Sequence, residues 1–483
     1  MTCIRNIFRC WVLGVGVMMS GICFGQPEHP RLTGLPTVYI EVYYGHNVIK
    51  DLYRIARMWY VDEQDQVVFS DSLMMAGRGN STWSFDKKPY KLKLKRPLAM
   101  IPGKPASRKW LLLANAADKT MLRNAVTSVA GEQTSLPFNP SYRFVDFVMN
   151  GEYQGTYQLT EAVEIGPGRV DITKQRIPPH ADDDLSGGYL LEIDGTQDGN
   201  CFLTDVCHVP IRIHEPDEED IEMSQQTYIS GVVNEFERRL MSDDFADRLT
   251  GYRPLVDSLS LADWYICQEL SGNVDAFHNA YFYKEREDGR PHWGPLWDFD
   301  IAYDNDSRVG DTRCELMVDV GFGAARQWAL RFWEDPWFAR LIQRRYCELL
   351  SQGIVEQMIT AIDSLSLAID ESQQLNYGVW SISEQTYLER VLHTSYEEYV
   401  DDLKDYIVAH AQFLKEVFFS RSGERGAGSE DTPSNSPSRG RSGERGGGLV
   451  DVIGRRWTTK GKLPKGVYVA DGQKWLKDEG PHP

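Results

Sequence analysis

A chain of 483 residues with 42% hydrophobic and 11% aromatic residues can bury a large core, which excludes a disordered protein and fits one large domain or two lobes. The formal net charge of −18 argues against a general nucleic-acid binder, because neutralising phosphates takes clustered Lys and Arg. The first 25 residues read as a secretory signal peptide, with Arg5 and Arg9 ahead of the apolar run CWVLGVGVMMSGICF and small residues in CFG before Gln26. The expectation is a secreted protein, periplasmic, at the cell surface or extracellular. Ile22 stands before Cys23 where a lipoprotein needs a small residue, and no later stretch is apolar enough for a transmembrane anchor. Cys201, Cys207, Cys267, Cys314 and Cys347 remain after cleavage. Cys201 and Cys207 flank FLTDV and are a candidate disulfide in an oxidising compartment.

Residues 36 to 95 carry strand signals: PTVYIEVYY, ARMWYV and QVVFSDSLMMAG are rich in β-branched and aromatic residues and separated by turns. PYKLKLKR alternates strictly, setting Tyr90, Leu92 and Leu94 on one face and Lys91, Lys93 and Lys95 on the other. DKTMLRNAVTSVAGE has helical spacing, with Asp118 or Thr120 as N-cap. A hairpin is expected about Asn150-Gly151, since both positions tolerate positive φ. Beyond residue 220 the apolar residues recur at i, i+3, i+4, through SLADWYICQELSG to TYLERVLHTSYEEYVDDLKDYIVAHAQFLKEVFF. The predicted class is therefore α+β, strand-rich first and mostly helical after. Residues 421–448, where RSGERGAG recurs as RSGERGGG around Ser, Pro and Gly, read as a disordered linker. Strand character returns in 449–483.

The chemistry concentrates where the helical half is interrupted. VDAFHNAYFYK reads as loop then strand, and HWGPLWDFD as a second strand leaving into Asp298 and Asp300. A loop Asp, an Asn four residues later, a strand pair and a further Asp make a phosphoryl-transfer arrangement. In protein kinases the loop Asp positions the acceptor hydroxyl, while the Asn and the Asp of D-F-G hold Mg²⁺. Mg²⁺ suits such a site because it is hard, takes few protein ligands and keeps positions for phosphate and water. Asp275, Asn279 and Asp298 match by order. Asp300 is a candidate further metal ligand, since i and i+2 on an extended segment point the same way. The chain departs from ordinary kinases in having no H-R-D triplet, no G-x-G-x-x-G loop, and DFD in place of D-F-G.

GRGNSTWSFDKKPYKLKL, KWLLLANAADKTMLRNAV, GEYQGTYQLTE, VDAFHNAYFYK and GPLWDFD, in that order, resemble the spore-coat protein H (CotH) kinase family over roughly residues 36 to 415. The resemblance implies an atypical protein-kinase-like, two-lobed fold within residues 26–420, the N-lobe at about 36–215 and the C-lobe at about 216–420. It implies transfer of phosphate from ATP, with Mg²⁺ or Mn²⁺, to Ser or Thr hydroxyls of a protein substrate. The family's catalytic Asp falls on Asp275 and its metal-binding Asp on Asp298, with Asn279 as the loop ligand. Arg78 and one of Lys88 or Lys91 would meet the triphosphate, and the neighbourhood of Glu161 the adenine. No helix glutamate stands out as partner for the lysine. LPKGVYVADGQKWLK resembles the C-terminal sorting segments of secreted Bacteroidota proteins.

Each residue has a plainer reading. Asp275 alone would be a turn residue, Arg78 a turn pin, and Lys88 and Lys91 a solvated strand face. His278 has no ligand partner at i+4 and reads as structural, and EPDEED (215–220) as solvated surface. Three other functions compete: a catalytically lapsed kinase-like binding protein, AMP transfer at the same metal site, and a glycosidase using Asp275 and Asp298 as its carboxylate pair. The presence of Asp275, Asn279 and Asp298 together favours catalysis over the lapsed kinase, and the clustered Asn with no aromatic subsite pattern sets the glycosidase last.

Overall fold

The computed structural model describes residues 28–423 apart from 46, 181–183, 198 and 387, together with the backbone of four short strands beyond residue 448. The expected signal peptide and nearly all of the expected linker lie outside the described residues. The chain runs β1 (Thr37–Val42), β2 (Arg54–Val61), β3 (Val67–Gly77), β4 (Tyr90–Leu98), β5 (Ser107–Leu113), α1 (Arg123–Glu132), β6 (Tyr142–Met149) and β7 (Glu152–Glu161). These seven strands close into a barrel in the order β1-β2-β3-β4-β5-β7-β6. Closure comes from β1 pairing parallel to β6, Thr37 opposite Asp146. Inside lie Met58, Leu92, Trp110, Phe147 and Tyr157, so the alternation of PYKLKLKR turns its apolar face inward and its lysines outward. Such closure leaves no exposed barrel edge. The β6–β7 hairpin turns at Asn150 (φ 51°) and Gly151 (φ 80°), as its residue pair predicts.

The chain continues with β8 (Tyr189–Asp194), β9 (Cys201–Leu203), β10 (Pro210–Glu215), α2 (Met223–Leu240), α3 (Ser258–Leu270), β11 (Asn279–Lys284) and β12 (His292–Trp293). The second sheet, β12-β11-β8-β10-β9, draws strands from both sides of residue 215 and pairs Asn279 with Asp194. Helices α4 (Met317–Val320), α5 (Arg326–Trp333), α6 (Pro336–Ser351), α7 (Ile354–Ala368), α8 (Asp370–Val379) and α9 (Tyr396–Ser422) follow. One core cluster joins this sheet to α1, α3 and the later helices through Leu191, Trp264, Phe282, Trp328 and Tyr406. The architecture is mixed α+β. No helix among the described residues is long and apolar enough to cross a membrane. Beyond residue 448, β13 (Leu449–Asp451), β14 (Arg456–Trp457), β15 (Gly466–Ala470) and β16 (Gln473–Lys477) form a sheet in the order β14-β13-β15-β16.

Several expectations are corrected. Cys201 and Cys207 form no disulfide with each other: the β9–β10 register sets Cys201 opposite Arg212, while Cys207 packs inward beside Glu237 and Trp328. The strand expected over HWGPLW stops at Trp293, since Gly294 has φ 104° and Pro295 has no N–H to donate. Helix α1 begins at Arg123, past both expected caps, yet Asp118 accepts from the Arg123 N–H (2.9 Å) and Thr120 from the Leu122 N–H (3.0 Å). The last helix starts ten residues later than its periodicity suggests, at Tyr396 after the N-cap Ser395. Tertiary contacts override the pattern: Leu388 takes φ 59° and its carbonyl accepts from Ser307 (2.7 Å), while Arg390 is bound to Asp304. That helix then runs to Ser422, two residues into the expected linker, and ends at Gly423 with φ 72°.

Lys87, three positions before β4, is 6% exposed; its Nζ donates to the Thr156 carbonyl (2.6 Å) and lies over the Tyr157 ring. Burial pushes its ammonium down to about 7. Free lysine titrates near ~10.4, so between these values the unfolded chain holds the extra proton and folding stability rises with pH. Denaturant unfolding at pH 7, 8 and 9 is expected to show wild-type stability climbing relative to Lys87→Met by up to about 1.4 kcal/mol per pH unit. Parallel trends in the two proteins would show Lys87 to be unperturbed.

Candidate functional site

The outer face of the barrel, α1 and the second sheet enclose a cleft of about 1150 Å³. Its roof carries Lys91 of β4, Leu111 of β5 and Gln158 and Thr160 of β7, all on outward positions of their strands. Glu192 and Asp194 of β8 and Arg212 and His214 of β10 line the sheet side. The turn before β11 and the segment 296–301 form the floor.

Asp275 and Asn279 occupy one tight turn, in which the Asp275 carbonyl accepts from the N–H groups of both His278 and Asn279 (2.9 Å each). Asn279 Nδ2 donates to Asp298 Oδ2 at 2.9 Å, joining residues 19 apart in sequence. Asp298 sits at φ 68°, in the left-handed region that Asp tolerates better than most residues. Its chain neighbour Phe299 is tethered by its N–H to Asn124 Oδ1 of α1 (2.8 Å). That φ breaks the extended segment expected over 298–300, and a turn begins at Asp300, yet both Asp298 and Asp300 line the cleft. Burial raises the carboxyls of Asp275, Asp298 and Asp300, that of Asp300 well above the usual range. Mutual repulsion adds to this, and Arg78 opposes it at Asp298 and Asp300. A bound cation would reverse the balance.

The remaining expected residues divide. Arg78 lines the cleft and lies over the Trp297 ring at 5.4 Å. Lys91 lines it too, paired with Asp51 at 2.7 Å. Lys88 instead donates to the Trp83 carbonyl (2.7 Å) and does not line the cleft. The Glu161 side chain is buried away from it, accepting from the Ser141 N–H (3.0 Å), although its neighbours Thr160, Ala162 and Val163 do line the cleft. His278 is half-buried at the cleft wall, its ring packed so closely on Gly195 that a Cβ there would fall within 2.4 Å of three ring atoms.

A family model for CotH kinase protein matches residues 75–414, most of the chain and all of Asp275, Asn279 and Asp298. The chain belongs to the CotH kinase protein family. No curated protein matches it.

In this CotH chain Lys91 is partnered by Asp51, from the loop between β1 and β2 rather than from a helix, and Lys50 of that loop lines the cleft beside it. Sequence reasoning also passed over Glu192, bound to His214, and Asp194, 3.4 Å from Arg212. Their alternation in LEID was the available signal, because period-two acids share one strand face. The site suits a hard cation held jointly with phosphate. Asn279 Oδ1 is buried with no hydrogen-bond partner among the described residues, next to the Asp298 carboxylate, and both offer oxygen. Among the described residues no three His, Cys, Asp or Glu side chains converge as a metal cage. Mg²⁺ sites commonly use one or two carboxylates and complete their shell with water and phosphate.

Proposed function

We propose that this CotH protein is a secreted protein kinase of two-lobed, kinase-like organisation, transferring the γ-phosphoryl group of ATP to Ser or Thr hydroxyls of a protein substrate. The observation that carries the reading is the Asn279–Asp298 hydrogen bond of 2.9 Å, with its unpartnered Asn279 Oδ1, in the same cleft as Asp275. Mg²⁺ bound with ATP would supply neutralisation of the phosphate charge that develops during transfer. Asn279 and Asp298 hold it, with Asp300 close by. Arg78 and Lys91 bring positive charge to the phosphates, and Lys91 exchanges its Asp51 partner for them. Backbone groups around Thr160–Val163 hold adenine. Asp275 orients the acceptor hydroxyl and takes its proton as the new P–O bond forms and the bond to the β-phosphate oxygen breaks.

The test uses residues 26–423 with Mg²⁺ and ATP labelled at either the γ- or the α-phosphate, offered to Ser/Thr-containing acceptor proteins. Label from γ-ATP is expected on protein and none from α-ATP. Label from α-ATP would replace the reading with AMP transfer, and binding of ATP without transfer of either label would make the protein a kinase-like binding module.

A further inference from the structure

Arg308 lies in the segment after β12, ten residues past Asp298, and lines the cleft. Its Nη2 donates to Asp275 Oδ1 at 3.1 Å. The same guanidinium is gripped from behind by Asp306, whose carboxylate accepts from Arg308 Nε at 3.0 and 2.9 Å, from Nη2, and from the Arg308 backbone N–H at 2.9 Å. Asp306 is 1% exposed, and its side-chain acceptors are all engaged by Arg308. The plane of the guanidinium is fixed by Phe322, whose ring centroid is 4.5 Å away and whose N–H donates to the Val274 carbonyl (2.8 Å) beside Asp275.

A solvent-exposed ion pair holds a carboxylate loosely, because two long side chains must be ordered for little gain. Here the ordering is already done: a planar fork bound through Nε and Nη2 on one edge and stacked on an aromatic ring presents the second N–H of Nη2 to the loop aspartate. Among the described residues, the side-chain hydrogen bond to Asp275 falls on Oδ1, leaving Oδ2 of the same carboxylate for a ligand.

We infer that Arg308, anchored by buried Asp306, is a positioning residue that fixes the rotamer of the Asp275 carboxylate and leaves Oδ2 for the acceptor hydroxyl. This rests on the phosphoryl-transfer reading. It makes the segment following the metal-binding Asp responsible for setting up the base, so that acceptor geometry and metal binding are linked through one stretch of chain.

Two measurements on the full chain separate this inference from the reading beneath it. Hydrogen exchange of the 275–279 turn needs no catalysis: Arg308→Met and Asp306→Asn are each expected to speed it by about tenfold, and unchanged exchange in both overturns the anchor. Steady-state kinetics then reads the consequence. Both variants are expected to lower kcat 10- to 100-fold while leaving the KM for ATP within threefold, and the double variant to fall no further than Arg308→Met alone. Arg308→Lys, which keeps the charge but loses the fork, is expected to recover little. Wild-type kcat in Asp306→Asn would break the relay, and a rise in kcat for Arg308→Met would show that the pairing blocks the acceptor. Faster exchange in both variants, with a wild-type protein that transfers no phosphate, would leave the anchor standing and remove the kinase reading instead.

Discussion

Asp298→Asn is expected to abolish Mg²⁺-dependent ATP binding while leaving the folded protein intact. The substitution keeps the shape of the side chain, its tolerance of φ 68° and an oxygen for the Asn279 Nδ2 donor at 2.9 Å. What it removes is the negative charge that the proposed Mg²⁺ would face. That charge is costly in the metal-free protein, where desolvation and the nearby Asp275 and Glu192 raise the carboxyl. Neutralising it therefore relieves repulsion, and the melting temperature without nucleotide is expected to hold or rise. Calorimetric titration with ATP and Mg²⁺ measures the loss, expected to be on the order of 100-fold or more in affinity, as for removal of a principal anionic oxygen ligand. Unchanged affinity in the folded variant would exclude Asp298 from the metal site.

Asp275→Asn separates binding from chemistry. The hydrogen bond between Asp275 and Asn279 runs through the Asp275 backbone carbonyl, which the substitution retains. Nucleotide affinity is expected to stay within a few-fold, while phosphoryl transfer falls by a factor on the order of 10² or more, as for loss of a positioned general base. The Arg308–Asp306 pairing survives the change, because it does not depend on the Asp275 charge. A variant that transfers phosphate at close to the wild-type rate would remove Asp275 from the mechanism, and one that no longer binds ATP would move it into the metal site.

Local chemistry made part of this protein readable in sequence. Asn150-Gly151 specified its hairpin because both residues accept positive φ at low cost, and the alternation of PYKLKLKR specified which face of β4 enters the barrel because strand side chains repeat every two residues. Asp275 and Asn279 fall on one turn because they stand four positions apart, the span that the bond from the Asn279 N–H to the Asp275 carbonyl closes. The order of Asp275, Asn279 and Asp298, together with the blocks around it, was sufficient for the family. Other features depended on partners far apart in the chain. Closure of the barrel joins Thr37 to Asp146, and Lys91 rather than Lys88 reaches the cleft because Lys88 is held at Trp83. The helical periodicity of 386–395 yielded to Ser307 and Asp304, and Arg308 acquired its place from Asp306 on one side and Asp275 on the other. Periodicity reports which face of an element meets apolar surroundings, but not which distant charge it meets there. Burial makes an unpaired charge expensive, so those pairings are settled only when the elements pack.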